Sequence, residues 1–227
     1  MKRLVLLFVL AILLAVPEGA APQEPANPLS GSPKQAEAII QKMLVKGRVA
    51  GSRGMNPFNT SQSKSYKLRA LWLTPDVIAA SARLIQLQER LTEQQARALL
   101  EEADLPGYTI MLVDLDPDEG AGVIPLDRAT FLQPKGAAPD SGRAVHGLEK
   151  PDFNEKKALA RVMRRNYAYD RLWFAFPLQT ESGAPLFSPS DQEAELIVQI
   201  RGREERVKWP IPDSIRARMT ASAAAAN

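Results

Sequence analysis

The stretches RLWFAFPL at residues 171–178 and ELIVQIRGREERVKWPIP at 195–212 decide the fold. In the second, Leu196, Val198 and Ile200 alternate with Ile197 and Gln199, and Val207, Trp209 and Ile211 alternate with Arg206, Lys208 and Pro210. Side chains of an extended chain point to opposite faces with period two, so each arm carries one apolar and one wetter face. Gly202 stands where a tight turn demands positive φ. The segment is therefore predicted to be a β-hairpin. The first stretch is a nearly unbroken apolar run containing Trp173, Phe174 and Phe176. Its length and aromatic content predict a strand buried on both faces, as between two packed sheets.

Upstream, Thr74-Pro75 is a strong helix start, an N-cap followed by proline at the first helical position. Val77, Ala80, Leu84, Leu87 and Leu91 recur at three- and four-residue steps. Thr92 with Gln95 forms a capping box that opens a second helix, whose apolar face is Ala96, Leu99, Leu100 and Ala103. Leu105-Pro106-Gly107 ends it. Residues 68–107 thus read as a helical hairpin. From Tyr108 the pattern turns to strands: TIMLVDL, then 123–124 and 129–132. About seven strand candidates fall in the roughly 105 residues after Gly107, the size of an immunoglobulin-like sandwich. The expected fold class is α+β: an N-terminal helical hairpin, then an immunoglobulin-like antiparallel β-sandwich over 108–213. A basic amphipathic helix at 154–166 (NEKKALARVMRRN) is read as inserted between its sheets.

Met1-Lys2-Arg3 followed by the apolar run 4–16 and the small residues Ala20-Ala21 has the layout of a secretory signal peptide over 1–21. Its apolar run is short for a segment spanning a bilayer. An uncleaved anchor is the alternative, and membrane contact is expected only through residues 1–16 in that case. Residues 22–67 read as a linker rich in Pro, Gly and Ser. A short helix over 35–45 interrupts it, and a loop follows over 47–67. Asn59-Thr60-Ser61 fits a glycosylation sequon. Residues 214–227 are expected to form a frayed Ala-rich tail, after a helical start at 215–219.

The 227-residue chain has no cysteine, which excludes thiol catalysis, disulfides and zinc-thiolate sites. Its formal charge is +3. Residues 1–21 hold Lys2, Arg3 and Glu18, so their removal lowers the excess by one. So small an excess points to no nucleic-acid partner.

Three groups invite chemistry. Asp114, Asp116 and Asp118 alternate through a turn, a spacing that can offer several oxygens to calcium. An EF-hand would need glycine where Glu119 stands and a bidentate Glu where Pro125 stands, and a solvated hairpin turn is the preferred reading. Asp140, Ser141 and His146 have the residue types of a catalytic triad, in a Gly/Pro-rich loop with no G-x-S-x-G elbow. Lys156, Lys157, Arg161, Arg164 and Arg165, with Tyr167, Tyr169 and Arg171 following, make the most basic patch, suited to an anionic surface or to plain solvent. The single histidine excludes multi-histidine metal sites.

The expectation is an exported, non-catalytic structural or protein-interaction module, secreted or periplasmic. It would have no cofactor and a partner protein in the envelope or outside the cell. The alternative is a ligand-binding module, using calcium at Asp114, Asp116 and Asp118 or an anionic surface at the basic helix. A serine hydrolase using Ser141 and His146 is the third reading.

Overall fold

The computed structural model describes residues 29–50, 65–119, 121, 123–138 and 141–225. The signal-peptide reading of 1–21, the sequon at Asn59 and the carboxylate of Asp140 lie outside the described residues. Within them the chain is α+β, with nine strands in two antiparallel sheets and five α-helices.

The hairpin expected at 195–211 consists of β8 (Glu193–Ile200) and β9 (Arg203–Pro210). Ile200 pairs with Arg203, leaving Arg201 and Gly202 as a two-residue turn. Both have positive φ, 51° and 72°, the type I′ pattern that matches the twist of the flanking strands. The apolar run became β7 (Asp170–Pro177), which lies between β3 (Tyr108–Pro117) and β6 (Leu148–Glu149). Buried Phe174 and Phe176 point to one face and Trp173 and Ala175 to the other, so the run is apolar because both faces are covered.

Four strands were not foreseen, two of them the short pieces Val145–His146 and Leu148–Glu149 in the stretch read as a Gly/Pro-rich loop. Residues 44–49, read as the end of a helix and the start of a loop, form β1 (Leu44–Val49). Residues 66–73, read as loop and then helix, form β2 (Tyr66–Leu73). Their charged residues gave them a loop-like composition. Lys46, Arg48, Lys67 and Arg69 nevertheless stand at alternate positions, the period of a strand with one polar face. The first sheet runs β1-β2-β3-β7-β6, so it takes strands from both sides of the helices at 75–103. The second runs β5-β4-β8-β9, with β4 at Arg128–Pro134 and β5 at Val145–His146.

Aromatic side chains join the two sheets. The Trp72 ring on β2 meets Trp209 on β9 edge-on at 6.0 Å and Phe187 at 6.1 Å. Each indole N–H is satisfied inside the core: Trp72 donates to Thr109 Oγ1 at 2.7 Å, and Trp209 to the Met43 carbonyl at 2.8 Å. The chain passes from the second sheet to the first at Gly147, between β5 and β6. A Cβ there would lie 2.4 Å from Thr130 Oγ1 and 2.8 Å from the Phe176 ring, so only glycine fits the crossing.

The helices pack on the other face of the first sheet. α1 (Pro33–Lys42) starts at a capping box between Ser32 and Gln35. α2 (Pro75–Glu89) and α3 (Glu93–Ala103) begin at the expected caps, Thr74 and Thr92. The helix expected over 154–166 is a correction. A 3-10 turn at Pro151–Asn154 and the single-turn α4 (Lys157–Ala160) are all that form. Arg171 donates to the carbonyls of Ala160 and Met163, acceptors that a continuing helix would need for its own ladder. Residues 123–124 are not a strand. The tail expected to fray after residue 219 continues as α5 (Asp213–Ala225). It is anchored by buried Ile215 and Met219 and by Arg216, which donates to the carbonyls of Ser188 and Asp191.

Candidate functional site

Strand register brings four charged residues into one row. Lys46 on β1 lies opposite Arg69 on β2, Arg69 opposite Asp114 on β3, and Asp114 opposite Arg171 on β7. Directly opposed residues share a face, here the one turned to the helices. Asp114 is 1% exposed, and both its oxygens are taken: Arg69 Nη2 donates to Oδ2 at 2.6 Å and Arg171 Nε to Oδ1 at 3.2 Å. The next row on the same face holds Arg48, Lys67 and Asp116. Lys67 reaches Asp116 at 3.2 Å, and Arg48 grips both oxygens of Asp118 at 2.9 and 2.7 Å. The Ser65 hydroxyl also donates to Asp118. That hydrogen bond, with Arg48 and Lys67 acting against burial, holds the Asp118 carboxyl below the usual carboxylate range.

The two rows differ in charge balance. The second sets two cations against Asp116 and Asp118. The first sets three cations against Asp114 alone. Lys46 has no carboxylate partner among the described residues, and its cross-strand neighbour is another cation. Arg69 Nε is buried and makes no hydrogen bond. The Arg69 guanidinium lies beneath the Tyr169 ring, 4.1 Å from its centroid, which fixes it in place.

Lys46, Arg69 and Tyr169 line a groove of about 720 Å³ between α1, the β1–β2 edge and residues 162–169. Lys67 and Arg164 add further cations, and Glu37 is the one carboxylate on the wall among the described residues. Leu44, Leu84 and Met163 give it half-buried apolar surface. The arrangement suits a ligand with negative charge on one side and apolar atoms on the other.

The residues singled out in the sequence meet different fates. Asp114, Asp116 and Asp118, the calcium candidates, are spread along the end of β3 and beyond, and each is held by Arg or Lys. Among the described residues, no three His, Asp or Glu side chains gather to hold a metal ion. The Ser141 hydroxyl donates to the Ala138 carbonyl at 2.6 Å, while exposed His146 stands on β5 with its ring edge-on to Phe131. The two side chains are thus held by different partners. The basic stretch is largely engaged with its own fold. Lys157 and Arg161 both grip Glu89 at the end of α2, and this pair, led by the Lys157 hydrogen bond, lowers the Glu89 pKa. Lys156 donates to the Glu102 carbonyl at 2.7 Å. Arg165 lies over the Tyr167 ring, and Arg171 belongs to the Asp114 cluster. Arg164 and Tyr169 are the members of that stretch that reach the groove.

Lys46, Arg48, Lys67 and Arg69 were missed because their segments read as loop or, at Arg69, as helix. The available signal was K-x-R at 46–48 and again at 67–69, mirroring D-x-D-x-D at 114–118. Opposite charges alternating with period two in two segments indicate strands that lie side by side.

No helix among the described residues is long and apolar enough to cross a membrane. No family model matches the chain. No curated protein matches it either. A crystal structure of a novel protein of unknown function from Burkholderia pseudomallei K96243 is similar over 83% of this chain and 88% of its own. The identity is 12% and the TM-score 0.39, a level of likeness that carries no argument about fold detail or role.

Proposed function

We propose that the protein is an exported, non-catalytic module whose work is binding, and that the groove beside β1 receives an anionic group. The observation that carries this is Lys46 directly across from Arg69 with no carboxylate among the described residues to separate them. Like charges opposed on neighbouring strands destabilise a sheet. A bound anion turns that repulsion into two attractions. The leader-like residues 1–21 support a place outside the cytosol, with a partner in the envelope or beyond it.

The finer architecture we propose is an immunoglobulin-like sandwich preceded by a helical hairpin formed by α2 and α3. In its support, the seven strands after Gly107 divide three and four between the sheets, the division of a constant-type immunoglobulin domain. Strands β1 and β2 would then be additions to its three-stranded side.

Thermal melting against a panel of small anions, amphiphilic anions and matched cations tests the binding role. At least one class of anion should raise the melting temperature, no cation should, and Arg164→Glu should abolish the rise. If no anion raises it, the groove is not a binding site. Cell fractionation tests the location, and finding the intact chain in the cytosol would contradict export.

A further inference from the structure

The apolar side of the groove narrows the ligand class, and this step rests on the groove being the binding site. We infer that the groove takes a single-chain anionic amphiphile, an alkyl chain bearing a carboxylate or phosphate head. Lys46, Lys67, Arg69 and Arg164 supply the cations, and Leu44, Leu84 and Met163 the apolar wall. A volume of about 720 Å³ falls in the range of small-molecule pockets. An inorganic anion would answer the cations but leave the apolar wall wet. A neutral lipid would cover the wall but leave Lys46 facing Arg69 unbridged. The apolar wall residues are half-buried rather than exposed, which favours one chain entering the groove over a bilayer lying on it.

The test is calorimetric titration and thermal melting of the purified protein with four probes. Two are laurate and lauryl phosphate below their micelle concentrations. The others are succinate, an anion without a chain, and dodecyl maltoside, a chain without charge. Vesicles of phosphatidylglycerol serve as the membrane arm. Laurate or lauryl phosphate should bind and raise the melting temperature, while succinate and the maltoside should bind much more weakly. Whichever of the two binds better identifies the head as carboxylate or phosphate. Lys46→Glu should weaken binding about tenfold or more, the size of one lost charge-assisted hydrogen bond. The same substitution should leave the unliganded melting temperature unchanged or higher, because a glutamate then faces Arg69. A loss of binding in this variant is therefore not a loss of folding. If succinate binds as well as laurate, the anion site stands and the amphiphile is wrong. If the maltoside binds as well, charge plays no part and the proposal falls. Sedimentation with vesicles without binding of monomeric laurate would replace it with a surface contact. No binding of any probe would overturn the site itself.

Discussion

At the scale of single residues, Asp114 matters most. It is buried between Arg69 and Arg171, and removing it leaves two guanidinium groups without their shared acceptor. We expect Asp114→Ala to cost about 3–5 kcal/mol in urea-induced unfolding, the usual result of breaking a buried ion pair from one side. Asp116→Ala should cost no more than about 1 kcal/mol, because its partner Lys67 is 52% exposed and screened by water. Three carboxylates alike in sequence thus differ because only one is sealed under the helices. A second residue-level prediction concerns acid. Burial works to raise the Asp191 pKa, but hydrogen bonds from Arg143 and from the Ser188 hydroxyl and N–H outweigh it, and the net shift is downward. Asp118 is lowered likewise. A depressed folded-state pKa gives stability that is full above the unfolded value of about 3.9 and is lost as pH falls through the folded value. Melting temperature should therefore fall below about pH 4, and in Asp191→Asn that fall should be shallower.

At the scale of elements, turns and caps were legible where the backbone asks for a particular residue. The β8–β9 turn was located from Gly202, and its φ of 72° explains why. Gly202→Ala meets no neighbouring atom, so its cost is conformational and should be about 1 kcal/mol. Gly147→Ala should cost more, about 1–3 kcal/mol, because the added methyl meets Thr130 and Phe176 where the chain changes sheets. Equilibrium unfolding of the two variants side by side would check the ranking, and equal losses would contradict it. The caps at Thr74 and Thr92 were legible for the same reason: they satisfy backbone groups locally. The basic segment at 154–166 had helical spacing but not a helix, since a side chain eleven residues beyond Ala160 takes that carbonyl. Local pattern carries no information about such a competitor.

At the scale of the whole molecule, an α+β chain with its strands in two sheets was readable from apolar periodicity, but the groove was not. Its cations come from β1, β2 and a coil segment after α4, far apart in sequence. The strand register that sets Lys46 beside Arg69 joins segments whose composition resembles loop. Once the register is known, the unequal charge of the two rows follows, and with it the expectation of an anionic occupant. The most direct measurement is a crystal structure of the protein grown with laurate. The account predicts a carboxylate bridging Lys46 Nζ and the Arg69 guanidinium, with the chain running along Leu84 and Met163. Laurate bound elsewhere, or Lys46 paired with a carboxylate of its own chain, would contradict it.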